Sequence, residues 1–325
     1  MTPVCPLCNA VSIGSMESIS VKRIVKMHKK ILDIDVVSEF GELSSIDCIR
    51  CIDCDLIYFY PAVSGSELFY EKLQLFNWYY MTEKNEYDFA RNFVKITDDV
   101  LEIGCGNGAF TKHINSLSYL GLELSKQAQK LAAHNGVQVL NESIENHSIN
   151  NKNKYNIIFS FQVLEHVVDA RSFIESAVTC LKPGGLLVFS TPSTDSFAAF
   201  SPNAILDMPP HHTTRWSDVS YNNIARLFDL DLIELWHEPL QNIHRQFYFQ
   251  TIFTNAFMNL FHQENRVWNE SLIYRFSYVV SRLPSKLFSM FASKKLFLPR
   301  GISVTTVFRK RLGSDTNENT ASFNK

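Results

Sequence analysis

The sequence lacks a strong charge of either sign, a long uninterrupted apolar run and a leader-like start. Its 325 residues carry 31 Lys and Arg against 33 Asp and Glu, a formal net charge of −2. Composition therefore gives no general argument for nucleic-acid binding. The start, MTPVCPLCNA, has no basic region followed by an apolar one, so no signal peptide is predicted. Arg275, Arg282 and Lys286 interrupt the most apolar C-terminal stretch, which argues against a membrane span. We expect a cytoplasmic, globular protein.

Cysteine is scarce beyond residue 54: five of the seven cysteines lie within the first 54 residues. A disulfide scaffold spread over a secreted domain would not cluster in this way. Cys5 and Cys8 form one Cys-x2-Cys pair, and the second pair is either Cys48/Cys51 or Cys51/Cys54. Two such pairs are typical of a tetrahedral structural zinc site, which predicts a small zinc module.

The rest of the chain shows short apolar runs that alternate with helical stretches from about residue 98 onward. This pattern predicts parallel strands joined by crossover helices. The expected fold class is α/β, a Rossmann-like doubly wound sheet with a small N-terminal zinc module and a helical C-terminal insertion. The predicted units are the zinc module at 1–62, a helical connector at 63–97, the sheet domain at 98–239, a helical and aromatic insertion at 240–300, a final strand at 301–312 and a disordered tail at 313–325.

The segment VLEIGCGNGAF ends the first of the apolar runs. Gly104, Gly106 and Gly108, between a predicted strand and a helix predicted to begin near Gly108, would let a ligand approach the main chain closely. Their spacing differs from the G-x-G-x-x-G of dinucleotide-binding turns, which speaks against a dinucleotide-dependent oxidoreductase. Glu102 suits a cationic amino group better than a pyrophosphate. Glu123, after the next run, is placed to accept hydrogen bonds from both hydroxyls of a ribose.

Four segments in this order, VLEIGCGNGAF, GLELS, YNIIFSFQVLEHVVD and LKPGGLLVFSTP, resemble those of a class I S-adenosylmethionine-dependent methyltransferase. The resemblance covers about residues 98–215 and implies that S-adenosylmethionine is the cofactor. The donor-binding residues that it implies are Glu102, Gly104, Cys105, Gly106 and Gly108 around the methionine moiety, Glu123 at the ribose with Leu124 beside it, Ser143 and Ile144 at the adenine, Phe161 and Gln162 on the methionine side, and His166 supporting that last loop. This sequence departs from the family at two positions, since the family often has Asp where Asn156 and Ser143 stand.

The second cysteine group also carries a resemblance. CIDCDLIYFYP is similar to the second knuckle of zinc modules found ahead of such methyltransferase domains. That similarity favours Cys5, Cys8, Cys51 and Cys54 as ligands of a structural Zn²⁺. Four protein ligands leave no open position on the ion, so the zinc is assigned no catalytic role.

The loop DMPPHHTTRWS, which we call the histidine loop, follows the fifth predicted strand, at the sheet edge where α/β enzymes bind ligands. A methyl acceptor that is an alcohol needs a general base, and histidine titrates in a suitable range. His211 and His212 are therefore the predicted catalytic residues. The alternative is that this pair orders the loop through backbone hydrogen bonds, and both interpretations stay open here.

The order of zinc module, connector and histidine loop resembles bacterial methyltransferases of surface-polysaccharide or small-molecule biosynthesis. The predicted function is methylation of a hydroxyl on a sugar or glycan intermediate. The alternatives are C- or N-methylation of another small metabolite and, less favoured, nucleic-acid binding.

The expected partner is a small-molecule or glycan acceptor, and a nucleic-acid partner is not expected. Residues 271–311 hold nine basic residues and no acid, which predicts either a solvated face or a peripheral contact with an anionic membrane.

Overall fold

The computed structural model describes residues 2–76, 79, 81, 83–291 and 299–312, so the predicted tail lies outside the described residues. The strands are β1 (Ile13–Ser20), β2 (Ser45–Cys51), β3 (Ile57–Tyr60), β4 (Asp99–Ile103), β5 (Ser118–Leu122), β6 (Val139–Leu140), β7 (Tyr155–Phe161), β8 (Leu181–Pro192), β9 (Thr214–Arg215), β10 (Leu230–Pro239) and β11 (Arg300–Lys310). The α-helices are α1 (Val21–Leu32), α2 (Val37–Phe40), α3 (Glu67–Leu73), α4 (Asn85–Ala90), α5 (Lys126–His134), α6 (Ile144–Asn150), α7 (Ala170–Cys180), α8 (Asp218–Leu227), α9 (Arg245–Leu260) and α10 (Leu272–Phe291).

The larger sheet has seven strands in the order β10-β11-β8-β7-β4-β5-β6. The strands from β4 to β8 pair in parallel with their neighbours, whereas β11 is antiparallel to both β8 and β10. The near-continuous apolar runs of β4 and β7 are buried, as expected where helices cover both faces of a parallel sheet. The chain passes from β4 to β5 on one side and back to β7 on the other, which makes their carboxyl ends the point where ligands bind in such sheets.

The glycine segment after β4 differs from its prediction in one respect. The helix expected near Gly108 is only a short 3-10 helix, Ala109–His113. Gly108 has a left-handed φ of 75°, and the Ala109 N–H donates to the Asn107 side chain instead of entering a helical ladder. The backbone returns to an extended conformation at Ile114, so no long helix dipole points at the turn.

The smaller sheet has the order β1-β2-β3-β9. Its last strand comes from far along the chain, because Thr214 pairs with Tyr58 and Arg215 with Ile57. The buried cluster that includes Cys5 and Cys54 also includes Trp216 and residues of the larger sheet. The N-terminal module is therefore joined to the segment that forms β9 by a strand pairing, and to the larger sheet by continuous apolar packing.

The insertion between β10 and β11 forms a helical hairpin of α9 and α10. Helix α9 of this hairpin contacts the short helix Phe197–Phe200, which in turn contacts β11 of the larger sheet. Within the part of the chain that is described, no helix combines the length and the apolar character needed to cross a bilayer.

Candidate active site

The carboxyl ends of β4, β5, β7 and β8 open into one cavity of about 2070 Å³. Residues after β4 and β5 line one part of it, and the histidine loop lines another. The hairpin of α9 and α10 forms a further part of the wall. Ligand sites of drug-sized molecules are commonly about 300–1,000 Å³, so the cavity has room for two reactants.

The glycine turn, residues 104–108, lies at the bottom of the part of the cavity that follows β4 and β5. Gly104 has φ 71° and Gly106 has φ 53°, values that side chains other than glycine rarely adopt. A Cβ on Gly104 would lie 2.4 Å from Cγ2 of Val163. The turn thus needs glycine at position 104 both for its backbone conformation and for its packing against the loop after β7.

Glu123, at the end of β5, reaches across this turn. Its Oε2 accepts a hydrogen bond from the Gly106 N–H at 2.9 Å, and its Oε1 accepts one from the Ser125 N–H at 2.7 Å. Burial raises the pKa of Glu123, and these backbone hydrogen bonds oppose that rise. A carboxylate offers about four acceptor positions, so both oxygens can still accept a hydrogen bond from a ligand. The residue lines the cavity, and its contact with a ribose stays a prediction.

Glu102 and Gly108 do not line the cavity. Glu102 is 1% exposed and accepts a hydrogen bond from the Tyr119 hydroxyl on the neighbouring strand. Burial raises the pKa of Glu102 to about 8. A Cβ on Gly108 would lie 2.7 Å from Cγ2 of Val137. Both predicted residues therefore support the turn through buried contacts and do not face the cavity.

The other predicted donor-binding residues all line the cavity, namely Gly104, Cys105, Gly106, Glu123, Leu124, Ser143, Ile144, Phe161, Gln162 and His166. Ser143 is the N-cap of α6, where its hydroxyl accepts from the Asn146 N–H. Gln162 has a positive φ of 56°, and its amide donates to the Ser303 hydroxyl at 3.2 Å. The structure brings these residues together, and their contacts with a donor stay a prediction.

Sequence reasoning missed several cavity residues. Glu86 and Tyr87 of α4 line the wall beside Phe161, and Glu86 is 4% exposed, with its pKa raised by burial. Glu165 and Asp207 line the part near the histidine loop. The only local signals for Glu165 and Asp207 in the sequence were their positions, next to His166 and just before the double proline.

Three histidines lie together in that second part, which we call the histidine cluster: His166, His211 and His212. One ring nitrogen from each lies within 4.8 Å of the others, and the rings of His211 and His212 stack with centroids 4.5 Å apart. His166 comes from the loop after β7, whereas the other two come from the loop that follows the cis Pro209–Pro210 bond.

The hydrogen bonds of the cluster fix how its protons are placed. Nδ1 of His166 lies 2.6 Å from the His211 carbonyl oxygen, and Nδ1 of His211 lies 2.8 Å from the Leu206 carbonyl oxygen. Nδ1 of His212 lies 3.1 Å from Oδ1 of Asp207. Carbonyl and carboxylate oxygens only accept, so each Nδ1 donates and Nε2 of the neutral ring keeps its lone pair.

Burial lowers the pKa of His166 to about 3 and lowers the pKa of His211 well below its ordinary range. Asp207 also bonds Arg215 at 2.8 Å, and this neighbouring charge holds the pKa of the carboxyl low although burial opposes it. His212 is the histidine of the cluster whose ring is hydrogen-bonded to a carboxylate.

The four predicted zinc ligands form a second cluster. Sγ of Cys5 is 3.5 Å from Sγ of Cys54, and Sγ of Cys8 is 3.5 Å from Sγ of Cys51. All four sulfur atoms lie within 4.8 Å of one another. A tetrahedron with Zn–S distances of about 2.3 Å has edges of about 3.8 Å, so this donor set fits the ion. Cys48 packs instead in the cluster around Ile46 and Phe59.

Residues 78–258 match the protein family described as "Methyltransferase domain". This match covers more than half of the chain. The chain belongs to the methyltransferase domain family. The family prediction from sequence, with its Rossmann-like fold, is confirmed.

Two curated proteins resemble this methyltransferase over shorter stretches. The ubiquinone biosynthesis O-methyltransferase of Proteus mirabilis is 29% identical over 126 residues, which is 35% of this chain and 51% of that protein. The malonyl-[acyl-carrier protein] O-methyltransferase of Calditerrivibrio nitroreducens is 40% identical over 95 residues, 29% of this chain and 38% of that protein. The chain thus spans about half or less of the length of these relatives.

A solved structure from Thermotoga maritima, described as a SAM-dependent methyltransferase and possible histamine N-methyltransferase, aligns with a TM-score of 0.46 at 17% identity. The alignment covers 75% of this chain and 97% of that one.

Proposed function

We propose that this protein transfers a methyl group from S-adenosylmethionine to a hydroxyl of a sugar or glycan intermediate, in the cytoplasm. The observation that carries the proposal is that one cavity contains both the glycine turn with Glu123 and the histidine cluster. The two curated relatives described above are both named as O-methyltransferases, which supports oxygen as the acceptor atom.

The donor part of the cavity fits S-adenosylmethionine. Glu123 has acceptor positions for ribose hydroxyls, and the bare backbone at Gly104 and Gly106 leaves space beside it. Ser143 and Ile144 would flank the adenine, and Phe161 would face the methionine side. When bound, S-adenosylmethionine supplies an activated methyl group on a sulfonium, so the protein's own task is to orient the reactants and exclude water.

The acceptor part would be the histidine cluster. A hydroxyl must lose its proton to become a strong nucleophile, and a neutral ring of the cluster has a lone pair on Nε2. Such a lone pair activates a hydroxyl either as a proton acceptor or as a ligand of a metal ion. The cavity wall formed by α9 and α10 would then enclose the remainder of the acceptor.

The cysteine cluster is part of the same proposal, as a structural Zn²⁺ site with Cys5, Cys8, Cys51 and Cys54 as ligands. The cluster packs against Leu7 and Leu56 within the shared core. A closed four-thiolate site in that position would stabilise the module.

The proposal is tested with S-adenosylmethionine labelled in its methyl group and a panel of nucleotide sugars and glycan intermediates. We expect label transfer that is lost in His212→Ala, while S-adenosylhomocysteine still binds that variant in a calorimeter. The double variant His134→Asn/His262→Asn, which changes two exposed histidines, is the matched control and should transfer normally.

The carbon and proton spectrum of the product identifies the methylated atom. A methyl ether supports the proposal. A new carbon–carbon or carbon–nitrogen bond contradicts it, as does full transfer by the His212→Ala variant.

A further inference from the structure

The histidine cluster has a pattern of partners typical of metal-binding imidazoles. Protein histidines that bind metals almost always donate their second N–H to a carboxylate or a backbone carbonyl, which fixes the ring and its tautomer. All three rings of the cluster do so, to the carbonyl oxygens of His211 and Leu206 and to the Asp207 carboxylate. The Nε2 atom of each ring is thereby left as the candidate ligand.

A second observation at the same place points to a missing partner. Nε2 of His211, a residue 8% exposed, has no hydrogen-bond partner among the described residues. Neither carboxylate oxygen of Glu165, which is 1% exposed, has one either, and Oε1 of Glu165 lies 4.0 Å from Nε2 of His166. A buried imidazole and a buried carboxylate without partners are costly unless a ligand satisfies them.

We propose that His166, His211 and His212 bind a divalent transition-metal ion of the Zn²⁺ type at the wall of the methyltransferase cavity. Three imidazoles with an open fourth position are a known arrangement for such ions. Nitrogen ligands at about 2.1 Å from a tetrahedral ion lie about 3.4 Å apart, which falls within the 4.8 Å limit on the separation of the ring nitrogens of the cluster. All three histidines line the cavity, so an acceptor oxygen bound there could occupy the open position.

The inference rests on the proposed function for its purpose, because the ion would be how the cluster activates the hydroxyl. Metal binding itself needs no acceptor, so it is tested separately. Metal content is measured by mass spectrometry on the purified full chain, followed by titration of Co²⁺ into protein whose cysteine cluster is already loaded with Zn²⁺. Co²⁺ bound by imidazoles absorbs in the visible region.

We expect two metal ions per chain in the wild type and one in His211→Asn/His212→Asn, with the Co²⁺ spectrum lost in that variant. The control His134→Asn/His262→Asn should keep both ions. Circular dichroism and S-adenosylhomocysteine binding establish that each variant is folded. One ion in the wild type without a Co²⁺ spectrum, or equal content in all three proteins, overturns the metal site. If the wild type does not bind S-adenosylhomocysteine, the proposed function is contradicted instead.

An independent observation concerns the hairpin of α9 and α10. Its helix α10 buries hydroxyl-bearing side chains and exposes apolar ones, the reverse of a helix that packs in water. Among the residues of α10 whose burial the structure describes, the buried ones are Ser277, Ser281 and Ser285, each 0% exposed. Ser281 shares a hydrogen bond of 2.8 Å with Thr254, and Ser285 donates to Oε1 of Gln250 at 3.0 Å. Helices that pack in water bury apolar stripes, whereas small and hydroxyl-bearing residues at helix interfaces are typical of a lipid environment.

The outward side of α10 carries the apolar residues. Seven of them are between 37% and 81% exposed, namely Leu272, Phe276, Val279, Val280, Leu283, Leu287 and Met290, whereas the ring of Phe288 packs against Phe249 and Phe253 of α9. The charged residues of α10 are Arg275, Arg282 and Lys286, all basic. Apolar side chains interleaved with cations suit the boundary between headgroups and acyl chains of an anionic lipid surface.

We infer that this hairpin lies in an anionic lipid surface, with α10 outermost. Tyr274, Arg275, Tyr278 and Arg282 of α10 also line the cavity, so the cavity would open beside the lipid. This location suits an acceptor that is carried on a lipid.

The test is flotation of the full chain with vesicles of phosphatidylcholine alone or mixed with phosphatidylglycerol. We expect binding to the anionic vesicles that weakens with salt and falls by roughly tenfold or more in Val279→Asp/Leu283→Asp. The control Leu117→Asp/Ile149→Asp changes two exposed apolar residues outside the hairpin and should still bind. Failure of the wild type to float, equal flotation of both variants, or a dimer that Val279→Asp/Leu283→Asp dissociates would each overturn the inference.

Discussion

Glu102 lies on β4 and Glu123 directly follows the neighbouring strand β5, and the two side chains differ in what they face. Glu123 lines the cavity, whereas Glu102 is buried against Tyr119. We expect Glu123→Ala to weaken S-adenosylhomocysteine binding by about tenfold to a hundredfold, since each hydrogen bond to a charged group contributes about 1.5–3 kcal/mol. Glu102→Gln should change it by less than about threefold because that side chain does not line the cavity. Calorimetric titration measures both, and equal losses would show that Glu102 contacts the donor.

Glu102 also predicts a dependence of stability on pH. Its folded pKa of about 8 is raised by burial, whereas an exposed Glu has a pKa near 4.3. Between these values the unfolded chain has released a proton that the folded chain still holds, so this group's contribution to stability falls as pH rises. We expect the free energy of unfolding of Glu102→Gln, relative to the wild type, to increase from about pH 5 to pH 8. Denaturant titrations at several pH values measure this, and a constant difference would contradict it.

At the scale of elements, the glycine turn depends on both a backbone conformation and a contact with the loop after β7. Alanine at position 104 would meet Val163 and would have to adopt φ 71°. We expect Gly104→Ala to lower the free energy of unfolding by about 2 kcal/mol or more. Adding Val163→Ala should restore only the share of the free energy of unfolding that the clash with Val163 removes. Full recovery in the double variant would mean that the backbone conformation costs nothing.

At the scale of the whole molecule, the N-terminal module shares a sheet with β9 and a core with Trp216. Removal of zinc should therefore destabilise the entire chain and not one end of it. We expect Cys51→Ser, or treatment with a strong chelator, to lower the single Tm by about 5–10 °C.

Cys48→Ala is the control for the zinc prediction, because Cys48 packs outside the cysteine cluster, and it should keep its metal. Differential scanning calorimetry checks both variants. An early separate transition that leaves the main one unchanged would show that the module unfolds by itself.

The sequence by itself determined the succession of the larger sheet's strands along the chain and the glycine turn, because each is written in a short contiguous pattern. Spacing left the second cysteine pair open between Cys48/Cys51 and Cys51/Cys54, and a resemblance to known zinc modules favoured the latter. Apolar runs such as YNIIFSF follow the period and burial of a strand, and the Cys-x2-Cys pairs match the reach of one ion. It did not determine that Glu102 faces away from the cavity, since the two sides of a fully buried strand carry similar residues.

Only the tertiary structure decided which distant residues meet. His166 lies 45 residues from His211, and Glu165 and Asp207 join them through the packing of two loops. Likewise, the burial of serines in α10 depends on the face that α9 covers, which a single helix cannot specify. Periodicity follows from local backbone geometry, whereas these contacts follow from the way that separate elements exclude water together.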